Sequence, residues 1–173
     1  MENSPIVFLD IDGVLNKTKH AKHIRFDEDL VERLKRVVDQ TNAQIVISSF
    51  WRHFHQYIAY VLDRYGIAAS RVVGATPGLG HYEDSKMIDR SSDDIKEYTC
   101  RSQEIKVWLA KHAPENANYV ILDDRPSAAD ETQLERFVFC KTELGLTEED
   151  ADKAIEILTR SSRAKNGCQP SLC

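Results

Sequence analysis

Three short apolar runs constrain this chain more than any other feature, because each one stops at groups that seek an ion or a ligand. Pro5 to Leu9 reads Pro-Ile-Val-Phe-Leu and runs into Asp10-Ile11-Asp12. Gln44 to Ile47 runs into Ser48-Ser49, and Tyr119 to Leu122 runs into Asp123-Asp124. Short apolar runs without polar alternation are the pattern of strands covered on both faces, as in a parallel sheet. In an open parallel sheet, ligands sit beyond the carboxyl ends of the strands. The three polar termini therefore predict one crevice lined by four carboxylates and a hydroxyl pair.

The sequence between the runs is helical in period. From Asp27 to Val38, the residues Leu30, Val31, Leu34, Val37 and Val38 recur at helical spacing, and Asp27 suits the N-cap. A second helix is predicted over His53 to Tyr65, stopping at Gly66. A third covers Arg101 to Lys111, with Ile105, Trp108 and Leu109 on one face. A fourth covers Thr147 to Leu158, with Thr147 and Asp150 placed to cap its start. Arg71 to Val73 and Arg136 to Cys140 are further strand candidates. Gly74 to Thr99 contains Pro77, Gly78 and Gly80 and then many polar residues, and reads as a loop or insertion. Alternating strands and helices predict an α/β fold with a mostly parallel central sheet and helices on both faces. One domain is expected over residues 1–160, with residues 161–173 a mobile tail.

Composition narrows the classes. Among 173 residues, 42% are hydrophobic and 29% charged, which supports a packed core and argues against a disordered chain. The net charge of -5 argues against a surface that grips nucleic acid throughout, but leaves room for a local basic groove. Lys17, Lys19, His20, Lys22, His23 and Arg25 form such a basic segment just after Asp10; a solvated loop is the plain alternative. Cys100, Cys140, Cys168 and Cys173 match no zinc spacing and are expected as free thiols in a reducing, cytoplasmic setting. No signal peptide, membrane-spanning run or prenylation box is expected.

A lone Asp at a strand end is ordinarily a cap or a turn residue. Asp10, Asp12, Asp123 and Asp124 converging on one crevice are harder to explain that way. Two carboxylates about 4 Å apart repel by roughly 4 kcal/mol at an effective dielectric near 20. A divalent cation removes that cost, and an all-oxygen set with few protein ligands suits Mg²⁺. The same ion would screen an anionic phosphate from an attacking carboxylate.

These residues carry a resemblance. Phe8-Leu9-Asp10-Ile11-Asp12-Gly13-Val14-Leu15-Asn16 resembles the first motif of the haloacid dehalogenase (HAD) superfamily of phosphohydrolases. Ile45 to Ser48 resembles the second, and Val120 to Asp124 the fourth. More narrowly, Ser48 to Arg52, Ala75-Thr76-Pro77, Arg101 with Glu104-Ile105 and Trp108-Leu109, and Gly145-Leu146-Thr147 resemble HAD domains fused to RNA-repair modules. Asp123-Asp124-Arg125 is also similar to the phosphatase half of polynucleotide kinase-phosphatases. The resemblance implies a Rossmann-like HAD fold and a role for each residue. Asp10 is implied as the nucleophile that becomes an aspartyl-phosphate. Asp12 is implied as the general acid and base, with its backbone carbonyl on Mg²⁺. Ser48 would bond a phosphoryl oxygen, Asp124 would bind Mg²⁺, and Asp123 would lie beside it. Val14 departs from the pattern, since many relatives carry Thr there.

The basic residue of the third motif is Arg101 or Lys106. Arg101 is favoured because it matches the narrower family and can point from a helix start into the crevice; a solvated helix face suits Lys106. With a short interval after Asp12 and no long period in Gly74 to Thr99, no large cap domain is expected. An open site admits a phosphorylated macromolecule, with nucleic acid ends favoured. The alternatives are a small-molecule phosphatase, such as a nucleotidase or sugar phosphatase, and a catalytically idle HAD module that binds phosphorylated partners. Trp51, Arg52, His53, His55 and Tyr57 could stack on bases or touch phosphate; the plain alternative packs Trp51 and Tyr57 against the sheet.

Overall fold

A computed structural model describes residues 4–19, 21–78 and 101–163, with side chains to residue 160. Five parallel strands form one sheet: β1 (Ile6–Leu9), β2 (Gln44–Ile47), β3 (Val72–Ala75), β4 (Tyr119–Asp123) and β5 (Phe137–Phe139). Their order across the sheet is β3-β2-β1-β4-β5. The chain thus works outward from β1 in one direction, then crosses to the other side of β1 for β4. The reversal lies between β1 and β4, where open α/β sheets place ligands.

Alternation along each strand sorts the core into two layers. Val7, Leu9, Ile45, Ile47, Val120 and Leu122 face one side. There they meet Leu30 and Leu34 of α1 (Glu28–Thr41), Ile58 and Leu62 of α2 (His55–Arg64), and Ala151 and Leu158 of α4 (Glu148–Arg163). Ile6, Phe8, Val46, Ile121 and Phe137 face the other side, against Ile105 and Trp108 of α3 (Arg101–His112). Phe8 meets Trp108 edge-on with ring centroids 5.5 Å apart. All four β1 residues are buried, as a continuous apolar run at the sheet centre requires. The α/β architecture with helices on both faces is as expected, and no cap domain occurs among the described residues.

Several boundaries differ from the sequence expectation. The predicted second helix is divided: Phe50–Phe54 is a 3-10 turn and α2 begins at His55. Ser49 starts that turn early, its hydroxyl accepting from the Trp51 N–H at 3.3 Å. β3 extends to Ala75, because parallel pairing with β2 carries the chain past Gly74. Asp27 occupies the N-cap position of α1 without capping by its side chain; its carboxylate pairs with Arg25 instead. Thr147 and Asp150 do bond reciprocally at the start of α4. Helix α4 continues to Arg163, into the stretch expected to be tail. Residues 164–173, most of the Gly74 to Thr99 interval, His20, Cys100, Cys168 and Cys173 lie outside the described residues. Among the described residues no helix is long and apolar enough to cross a membrane.

Candidate active site

Register builds the site. Leu9 is level with Ile47 on one side and Leu122 on the other, and Ile47 is level with Ala75. One residue further along, Thr76, Ser48, Asp10 and Asp123 therefore form a polar row across four neighbouring strands. The ladder continues through that row: Ser48 N–H donates to Leu9 O at 2.8 Å, Asp10 N–H to Leu122 O at 3.0 Å, and Thr76 N–H to Ile47 O at 3.0 Å. Alternation puts the row on the same side as Phe8, Val46 and Ile121, the side covered by α3. That is why the first residue of α3 can reach it.

Arg101 Nη1 donates to Asp10 Oδ2 at 2.6 Å and also to Asp123 Oδ2. The guanidinium and both carboxylates are nearly fully buried. Burial opposes its charge, but Asp10 and Asp123 hold the Arg101 pKa above its ordinary value. For Asp123 burial dominates over the attraction of Arg101, with repulsion from Asp10 added, and the carboxyl is pushed up to about 7. Asp124 is raised as well, first by burial and against a bond from Thr142, whose hydroxyl donates to Oδ2 at 2.7 Å.

Asp10, Asp123 and Asp124 each offer a carboxylate oxygen, all within 4.8 Å of one another. Among the described residues one guanidinium thus faces three carboxylates, a charge imbalance that a hard divalent cation would correct. Gly13 lies against this group with φ +80, and a Cβ there would sit 2.3 Å from Asp124 Oδ2. Glycine is required both for the backbone conformation and for the close approach. These donors fit a divalent metal.

Asp12 is turned differently. Its Oδ1 accepts from Asn16 Nδ2 at 2.9 Å, and its Oδ2 from Trp51 Nε1 at 3.1 Å and Ala21 N–H at 3.3 Å. Its side chain is outside the carboxylate trio, so any part in metal binding falls to its backbone carbonyl. Ser48 Oγ is buried and has no hydrogen-bond partner among the described residues. A buried hydroxyl without a partner costs about 1–3 kcal/mol, a cost that an arriving acceptor such as a phosphoryl oxygen would remove.

Arg101 enters the site, whereas Lys106 pairs with Asp130 on the half-exposed side of α3. Trp51 is buried in the core with its indole N–H on Asp12, so it is neither a free stacking platform nor a purely apolar packer. Tyr57 is 55% exposed, which corrects its expected packing against the sheet. Phe54, also exposed, has its ring centroid 6.2 Å from that of Trp51. Lys17, Lys19, Lys22, His23 and Arg25 are exposed, with Lys17 near Asp29 and Arg25 on Asp27. Arg52 is buried and reaches Glu104, so it does not face solvent as a phosphate contact. Asn16, Thr76 and Glu104 stood in the resembling motifs without an assigned role, and Thr142 gave no signal; Asn16 also lies just past the Asp12-Gly13 turn, where Asn side chains bond backbone.

A family described as the HAD domain in Swiss Army Knife RNA repair proteins matches residues 6–151. Neither the curated proteins nor the solved structures contain a match.

Proposed function

The chain belongs to the family of HAD domains in Swiss Army Knife RNA repair proteins, and from that premise we propose a Mg²⁺-dependent phosphomonoester hydrolase acting on phosphorylated nucleic acid ends. The observation that carries the proposal is the level polar row. It sets a buried carboxylate, Asp10, next to a hydroxyl with no partner among the described residues; Arg101 donates to Asp10, which also belongs to a carboxylate trio suited to a cation.

Asp10 attacks phosphorus in line with the leaving oxygen. The P–O bond to the substrate breaks as the bond to the Asp10 carboxylate forms, giving an aspartyl-phosphate. Asp12 gives its proton to the leaving oxygen, then takes one from water, which attacks the phosphoryl group and frees Asp10 and inorganic phosphate. Arg101 and Ser48 donate to the phosphoryl oxygens as charge spreads over them. Asn16, Trp51 and the Ala21 N–H hold the Asp12 carboxylate in place between the two half-reactions. Asp10, Asp124 and the Asp12 carbonyl, with Asp123 alongside, would hold Mg²⁺, which would neutralise the carboxylates and the phosphate.

Substrate size follows from the rim. The basic loop of residues 17–25 and the aromatic turn of residues 50–54 reach the same atom, Asp12 Oδ2, through Ala21 and Trp51. Exposed Lys19 and Lys22 belong to the first of these segments and exposed Phe54 to the second. Cations beside an aromatic ring suit a phosphate backbone with an unstacked base.

Phosphate release in Mg²⁺ by the wild type and Asp10→Asn tests this. The panel holds 5′- and 3′-phosphorylated oligonucleotides, mononucleotides, sugar phosphates and phosphopeptides. Release by the wild type alone, led by oligonucleotides, is the expected result. A lead by mononucleotides or sugar phosphates moves the assignment to a small-molecule phosphatase. Binding of a phosphorylated partner without turnover by either protein marks an idle module.

A further inference from the structure

Beside the carboxylate cluster, α3 buries a second ion pair that the proposed chemistry does not use. Arg52 and Glu104 are 4% and 2% exposed, and Arg52 Nη1 donates to Glu104 Oε2. Among the described residues three further bonds tie this pair to its surroundings. Arg52 Nε donates to the Ser49 carbonyl at 2.8 Å, and Arg52 Nη1 to the Pro77 carbonyl at 3.3 Å. The Thr76 hydroxyl donates to Glu104 Oε2 at 3.2 Å. The turn after β2, the end of β3 and the first turn of α3 therefore meet at one buried point.

Such a pair is a poor source of net stability. The cost of taking both charges out of water roughly offsets their attraction, and apolar residues of similar volume commonly serve as well or better. What the pair does supply is fixed geometry. Glu104 follows Arg101 by one helical turn on the same buried face, so holding one fixes the backbone of the other. Ser49, whose carbonyl Arg52 engages, follows Ser48 directly. One clamp therefore adjoins, through the backbone, both Arg101, which donates to Asp10, and Ser48, the neighbour of Asp10 in the polar row.

We propose that the Arg52–Glu104 pair is a positioning device that sets the span between Arg101 and Ser48 across Asp10. Its catalytic consequence rests on the phosphatase reading, while its structural consequence does not. Placement matters at this scale because an error of about 1 Å in a catalytic group can cost roughly 10²-fold in rate.

The test replaces both partners with apolar residues of similar size, Arg52→Met with Glu104→Leu. With p-nitrophenyl phosphate as the probe, kcat should fall by about 10–100-fold while KM stays within about threefold. The second readout is the guanidinium N–H signal of Arg101 in ¹H–¹⁵N spectra, assigned by its absence in Arg101→Lys. Held between two buried carboxylates it should exchange slowly in the wild type, and it should broaden or exchange rapidly in the double variant. A folded double variant with kcat and the Arg101 signal both unchanged overturns the proposal. If the double variant does not fold, Glu104→Gln keeps the shape and an acceptor for Thr76 while removing the charge; an unchanged Arg101 signal there also overturns it. A wild type that hydrolyses nothing refutes the phosphatase reading, and the Arg101 signal still decides the positioning claim.

Discussion

Helix α3 covers two arginines that are buried alike and compensated unequally. Among the described residues Arg52 meets one carboxylate, Glu104, and two backbone carbonyls, so the charges at that corner pair one to one. Arg101 meets Asp10 and Asp123 with Asp124 close by, so its corner carries surplus negative charge. The balanced corner behaves as framework. The unbalanced corner is incomplete by itself and suits a metal and a phosphoryl group. Burial is common to both, and the ratio of cations to anions separates structure from chemistry.

Breaking the unbalanced corner should have the largest effect. Arg101→Met leaves Asp10 and Asp123 buried without their cation, which should cost about 3–5 kcal/mol in urea unfolding without metal. Millimolar Mg²⁺ should return part of that loss, and kcat should fall by about 10²–10³-fold. Equal urea midpoints for the two proteins without metal would remove the charge argument. Next comes Gly13→Ala, which forces a Cβ onto Asp124 at an unfavourable φ. Stability should drop by about 1–3 kcal/mol, and half-maximal Mg²⁺ activation should need roughly tenfold more metal.

A pH series without metal gives a smaller effect with a definite sign. Burial raises Asp123 above its unfolded value. From the ordinary carboxylate range up to about 7, the folded chain keeps a proton that the unfolded chain has released. Stability must then fall as pH rises through that window, by at most about 1.4 kcal/mol per pH unit for one proton. Saturating Mg²⁺ should flatten the slope, and a metal-free midpoint that rises over the window would contradict it. The smallest effect belongs to Lys106→Ala, which removes an exposed partner of Asp130. Its kcat should stay within about twofold of wild type, and a large loss would return Lys106 to the catalytic set.

The roles in the Asp10 corner were legible in the sequence, whereas Arg52 and Glu104 stood there only as motif residues whose pairing was not. Buried parallel strands announce themselves as apolar runs, so Asp10, Ser48 and Asp123 could be found by looking where each run stops. Glu104 and Arg52 followed no such rule. Periodicity treats charged residues as solvent-facing, yet the first turn of α3 turns Arg101 and Glu104 inward beside Ile105 and Trp108. Only the assembled fold shows that the two charges have partners on other elements. The early 3-10 turn at Phe50 was hidden for a related reason, since it depends on one hydroxyl, Ser49, bonding its own turn. Trp51 read as either packing or stacking, and it instead donates to Asp12, because an indole has both an apolar body and one N–H.

The neighbour relation of β1 and β4 also has a consequence for synthesis. Residue 9 pairs with residue 122, and the strands between them in sequence, β2 and β3, lie on the opposite side of β1. A nascent chain can pair β1 with β2 early, but it holds only one carboxylate of the three until β4 has emerged from the ribosome. The earlier intermediate exposes an open β1 edge and a solitary Asp10, and it has no competent site. The complete carboxylate cluster therefore arrives late and all at once, with closure of a long-range contact.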